Sequence, residues 1–142
     1  MLNENFKVTG QVTIQKNGEV VRDIPNTIVT AGKNDIASLI TGAGSVMTHM
    51  AVGTGTTGVA AGDTTLETEN DRNALSVSGG APSTNTIVYT GVWAAGDGTA
   101  AITEAGLFSA SSGGTMLART VFSTVNKGAG DILTITWTVT IS

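Results

Sequence analysis

Four carboxylates crowd into nine positions, Asp63, Glu67, Glu69 and Asp71, and just before them stands Gly53-Thr54-Gly55-Thr56-Thr57-Gly58. Clustered acidic oxygens can hold a hard cation such as calcium, and a carboxylate pair can hydrolyse a glycoside. The glycine run matches G-x-G-x-x-G, whose backbone amides can approach a pyrophosphate at a helix N-terminus. Neither context holds. The acidic spacing is not that of an EF-hand loop and lacks its sixth-position glycine, and no aromatic residue stands nearby to stack a sugar. After the glycines, Val59-Ala60-Ala61-Gly62-Asp63 carries no apolar helical face, and no βαβ pattern surrounds it. A flexible surface loop followed by a solvated acidic strip, partly compensated by Arg72, is the expectation.

The remaining reactive types are sparse. His49 is the one histidine, between Thr48 and Met50, and reads as a surface or interface side chain rather than a general base or metal ligand. No cysteine exists, which removes disulfides, thiolate metal sites and cysteine catalysis. Serines abound without a G-x-S-x-G elbow. Trp137 falls in a core register, and Trp93 is also assigned to the core. The expectation is no enzyme, with no catalytic, cofactor or metal residues and no bound cofactor.

The elements that would position these residues are mostly strands. Phe6, Val8, Val12 and Ile14 alternate with polar residues, Asn17-Gly18 marks a tight hairpin turn, and Glu19–Arg22 returns. One helix is expected at about residues 33–41, with Ile36, Leu39 and Ile40 on one face, Thr30 or Asn34 capping its start and Gly42 its end. Further strands are expected at Met47–Val52, Ala74–Ser78, Thr86–Trp93, Ala101–Phe108 and Met116–Phe122. Leu133, Ile135, Trp137, Val139 and Ile141 alternate with Thr134, Thr136, Thr138 and Thr140, one face core and the other a threonine ladder. Seven or eight short strands and one helix predict a mainly β domain spanning 1–142, a sandwich, jelly-roll-like fold or open barrel. Residues 1–27 form either a hairpin arm or part of the core.

Composition narrows the setting. Only 13% of the 142 residues are charged, with mean hydropathy +0.19 and 24 threonines beside 19 glycines. A surface so poor in Lys and Glu leans toward burial in an assembly. A net charge of −4 gives no footprint for nucleic acid, and no apolar run is long enough to span a membrane. The opening Met-Leu-Asn-Glu-Asn-Phe-Lys has no basic or apolar signal region, so folding in a cytosol is expected.

Three stretches together resemble small structural proteins of tailed bacteriophages. Ile28-Val29-Thr30-Ala31-Gly32 leading into a helix resembles their V-T-x-A-G opening. Met50–Thr57 with Gly62–Glu69 resembles their A-V-G-T-G-T-T … D-T-x-L-x-x-E segment. Glu104-Ala105-Gly106-Leu107-Phe108, then Gly114–Phe122, resembles their E-x-G-L-F … G-x-L-x-A-R hairpin, a motif that also recurs in tail-collar and fibre proteins. The resemblance runs from about residue 28 to the C-terminus and implies a virion component assembled in the host bacterial cytoplasm. It implies a capsid decoration (cement) protein, a homotrimer partnered with the major capsid protein, or else a tail, fibre or baseplate component with a host-carbohydrate adhesion role. On this reading the glycine loop is a family hallmark with no nucleotide role. Met1, Leu2, Asn3 and Phe6, with Gly53, Thr54, Gly55, Thr56 and Thr57, are the expected assembly contacts.

Overall fold

The computed structural model describes residues 6–142. Ten strands form two antiparallel five-stranded sheets, and one short helix accompanies them. The first sheet runs in the order β2 (Glu19–Pro25), β1 (Val8–Lys16), β10 (Leu133–Ile141), β7 (Thr86–Trp93), β6 (Ala81–Ser83). The second runs β3 (Thr27–Ile28), β9 (Met116–Lys127), β8 (Ala100–Phe108), β4 (His49–Gly53), β5 (Glu69–Ala74). The mainly β expectation holds. Two of the ten strands, β3 and β6, have two and three residues, too short for any periodicity to reveal.

Alternation along β1 and β10 decides the first sheet. Val12 and Ile14 pair with Trp137 and Ile135 and are fully buried, and Leu133 and Val139 join them on the inner face. On the outer face the β10 threonines sit between β1 and β7, with Thr136 flanked by Thr13 and Thr90. Such β-branched pairs suit a pleated surface while their hydroxyls keep it wettable. Because β10 is central, its edges are taken, and no partner strand can add to it. A partner meets that threonine surface face-on or not at all.

The β1–β2 hairpin is built into this sheet rather than projecting as an arm. β1 pairs with β10 from Val8 to Lys16. Its turn carries positive φ at both Asn17 (53°) and Gly18 (84°), the mirror-image turn that suits twisted strands. Arg22 then reaches across to the second sheet, donating to the Ser123 and Thr124 carbonyls of β9.

The helix, α1, covers Thr30–Ile40, three residues earlier than expected, because its start is fixed by tertiary contacts. Val29 occupies the cap position with no side-chain bond, and neither Thr30 nor Asn34 caps. Instead the Val29 N–H donates to Leu117 O (3.1 Å) and the Thr30 N–H to Ala61 O (2.8 Å). Gly32 lies so close to Leu117 that a Cβ would meet its carbonyl oxygen at 2.3 Å. Gly42, with φ 80°, ends the helix as expected. The apolar face is less buried than its spacing implies, with Leu39 and Ile40 exposed.

The main core draws on both sheets and includes Trp93 and Trp137, both fully buried. A second small cluster, Val29, Ala51, Leu66, Phe108 and Met116, has Leu66 from the long β4–β5 connection packed against Gly106 of β8. That connection explains why β8 is buried at every position from Ile102 to Phe108. Replacing Trp137 by alanine is expected to cost about 3–5 kcal/mol in chemical denaturation. A loss below about 1 kcal/mol would contradict its place in the core.

Candidate functional site

The most concentrated polar chemistry centres on Glu104 of β8 and Arg119 of β9, 0% and 2% exposed. Burying either ion alone is costly, so both must be saturated with partners. Glu104 Oε2 accepts from the backbone N–H groups of Gly55 (2.7 Å) and Thr68 (2.8 Å). Its Oε1 accepts from the Glu67 N–H (2.9 Å) and from Arg119 Nε (3.1 Å) and Nη2 (3.0 Å). Arg119 Nη1 donates to Asp63 Oδ2 (2.8 Å), and Nη2 also reaches the Thr57 carbonyl (3.1 Å). The carboxylate thus accepts five hydrogen bonds, and little valence is left for a substrate.

The glycines of the loop serve this anion. A Cβ on Gly53 would lie 2.7 Å from Glu104 Oε2, and one on Gly55 only 2.3 Å. Backbone approach to a negative group is the chemistry G-x-G promises, but the anion here is a protein side chain. The loop is correspondingly fastened: Thr103 Oγ1 donates to Gly55 O (2.7 Å) and the Thr54 N–H to Thr68 O (2.9 Å). Gly53 and Gly55 are buried, whereas Thr54, Thr56 and Thr57 are exposed and available to a partner. Phe6 is exposed, and Met1, Leu2 and Asn3 lie outside the described residues.

The four clustered carboxylates go to four separate tasks. Asp63 pairs with Arg119 and accepts from the Ala60 N–H (3.0 Å). Hydrogen bonds from the Thr57 hydroxyl and N–H hold Glu67 below the usual carboxylate range. Glu69 pairs with Arg72 (2.6 Å), whose guanidinium also lies 3.8 Å above the Phe108 ring and bonds the Ala110 and Gly113 carbonyls. Asp71 faces Asp97 between β5 and the β7–β8 turn, where Asn73 Nδ2 donates to Asp97 Oδ2 (2.7 Å) and Val92 O (2.9 Å). Among the described residues no three metal-ligating side chains form a group. Glu69 and Asp71 lie on the edge strand β5, where a strip of solvated loop was expected and the strand was placed at Ala74–Ser78. His49 is half-buried, and its Nδ1 has the neighbouring Thr48 hydroxyl at 2.8 Å.

Glu104 and Arg119 were visible in the sequence only as motif letters. The overlooked signal is a single charge set in an apolar strand, Glu104 within Ala-Ile-Thr-Glu-Ala-Gly-Leu-Phe and Arg119 within Met-Leu-Ala-Arg-Thr-Val-Phe. A lone charge in a buried strand requires saturating partners, and Glu104 and Arg119 find them in each other across the ladder.

Two tests follow from these groups. Glu104→Gln presents an amide N–H₂ to N–H donors and leaves Arg119 with Asp63 as its one charged partner, so denaturation should show a loss of about 3–5 kcal/mol. Burial first, then the adjacent Asp97 carboxyl, pushes Asp71 above its ordinary value. Asp71 therefore holds its proton more tightly folded than unfolded. Its contribution is present below about pH 4 and is lost as pH rises through the raised value. Asp71→Asn should melt above the unsubstituted protein at pH 7, and the difference should vanish in thermal scans near pH 3.

No family model matches the chain, and neither does any curated protein or solved structure.

Proposed function

We propose that this chain is a structural protein of a tailed-bacteriophage virion, a decoration protein that binds the outer surface of the major capsid shell as a homotrimer and stabilises it. One observation carries the reading: the stretches with the phage resemblance supply the members of a single cluster around the buried Glu104 and Arg119. Gly53, Gly55 and Thr57 come from the G-T-G-T-T segment, and Asp63, Glu67 and Thr68 from the D-T-T-L-E-T-E segment. Glu104 comes from the E-A-G-L-F strand and Arg119 from the A-R strand. The V-T-A-G stretch joins through Thr30, bonded to Ala61 of the same loop. A resemblance arising from glycine and threonine content alone would not select residues that meet in space.

A scaffold role also fits the chemistry. The most polar buried group is spent on holding loops, and the outer face along β1, β10 and β7 is a broad surface of threonines with Asp23 of β2 at its margin. Repeated over hundreds of shell positions, modest contacts resist internal pressure through avidity. The choice of three subunits rests on the threefold positions of icosahedral shells. The E-x-G-L-F … A-R hairpin is shared with tail-collar and fibre proteins, so a tail, fibre or baseplate location is the second reading.

Light scattering of the purified chain and sedimentation with empty phage shells test both halves. The expected result is a trimer that saturates shells. A monomer that ignores shells and binds tail tubes or host polysaccharide would transfer the assignment to the tail.

A further inference from the structure

The chain has seven Lys and Arg residues, and five of them are engaged. Lys16 pairs with Asp131, Arg72 with Glu69, and Arg119 with Glu104 and Asp63. Arg22 holds backbone carbonyls, and Lys127, 2% exposed, donates to Ala94 O (2.9 Å). Lys7 and Lys33 alone have no carboxylate or carbonyl partner among the described residues, and both are exposed. Both line the same apolar groove.

That groove lies between α1 and the start of β1. It joins two depressions of about 600 Å³ and about 370 Å³ that share Val8, Ile36 and Ile40. The exposed apolar side chains of the molecule concentrate here: Ile40 is 81% exposed and Phe6 69%, with Leu39 and Val46 beside them. Among the described residues no exposed carboxylate lines it, and Asp35 on its floor is 9% exposed and accepts from the Ser45 N–H (2.9 Å). In a chain of net charge −4, this is an apolar surface with a local positive rim.

We infer that the groove between α1 and β1 docks an acidic, apolar segment of a partner protein, its side chains covering Ile36, Ile40 and Phe6 and its carboxylates meeting Lys7 and Lys33. A small alkyl carboxylate is disfavoured because small ligands are held by enclosing most of their surface, and Ile40 stands out into water. A second copy is a poor complement: Asp23, Asp63, Glu67, Glu69 and Asp131 on its surface are already hydrogen-bonded, which leaves Glu19 as the one exposed side-chain carboxylate without a hydrogen bond among the described residues, against two lysines here. Apolar patches with a polar rim are typical protein contact sites. On the proposed function, and only there, the segment belongs to the major capsid subunit.

The test titrates two fluorescent octapeptides, one alternating glutamate with leucine and the other lysine with leucine, onto the full chain. The glutamate peptide should bind, and the lysine peptide should be weaker by about tenfold or more. Lys7→Glu with Lys33→Glu should weaken the glutamate peptide about tenfold, and Ile40→Ser should do so independently. All three positions are exposed, and an unchanged melting temperature confirms folding. Equal binding of both peptides, no binding, or indifference to both sets of substitutions overturns the inference. So does full displacement of the peptide by dodecanoate, or its exclusion by self-association. Shell sedimentation with the same variants separates the two claims. Peptide binding without shell binding leaves the groove and removes the capsid reading, whereas shell binding that survives both sets of substitutions does the reverse.

Discussion

One buried carboxylate disciplines more of this chain than any other group. Glu104 is tolerable at 0% exposure only because five donors surround it, and three of these are backbone N–H groups from the β4–β5 connection. Those N–H groups reach it only where Gly53 and Gly55 leave no Cβ in the way. Once the connection is drawn against the second sheet, Leu66 fills the space over Gly106, and Ala61 presents the carbonyl that receives the first N–H of α1. Loop path, outer core and helix start are consequences of neutralising a single anion.

The two sheets solve different problems. In the second, the β4–β5 connection covers the outer face of β8, which is buried continuously from Ile102 to Phe108 and accommodates Glu104 through an internal ion pair. The first keeps one face wet, and threonine serves there in place of lysine and glutamate. A low charge count would leave strand edges exposed to unwanted pairing, but the edges are managed by other means. β3 and β6 are two and three residues long, β2 is tied to β9 through Arg22, and β5 carries Glu69 and Arg72. Association through strand addition is discouraged.

What the sequence displayed followed from which faces meet water. β1, β10 and the Asn17-Gly18 turn were legible because alternation and positive φ leave direct marks in residue type. β8 and β9 were recognised as strands, yet their charged members were not recognised as a site, since a strand buried on both faces has no period against which Glu104 stands out. β5 was misplaced because an edge strand of Glu, Asn, Asp and Arg resembles a loop. The early start of α1 was invisible because carbonyls of Leu117 and Ala61, far along the chain, position its first N–H groups. The buried fates of Trp93 and Trp137 were legible, the latter from register alone.

The same accounting explains why Lys7 and Lys33 matter. Where five of seven cations are held by carboxylates or carbonyls, a lysine on an apolar rim with no partner among the described residues is a departure from the chain's own habit. The helix joining these features is fastened at Thr30 to the loop that Glu104 holds, and it ends at Ile40 on the open groove. Fixing its first turn leaves less freedom for Ile36 and Ile40 to lose when a partner arrives, and lowering that ordering cost raises affinity without any added contact. The buried anion therefore reaches the surface through α1: it stiffens the wall against which an acidic segment would pack.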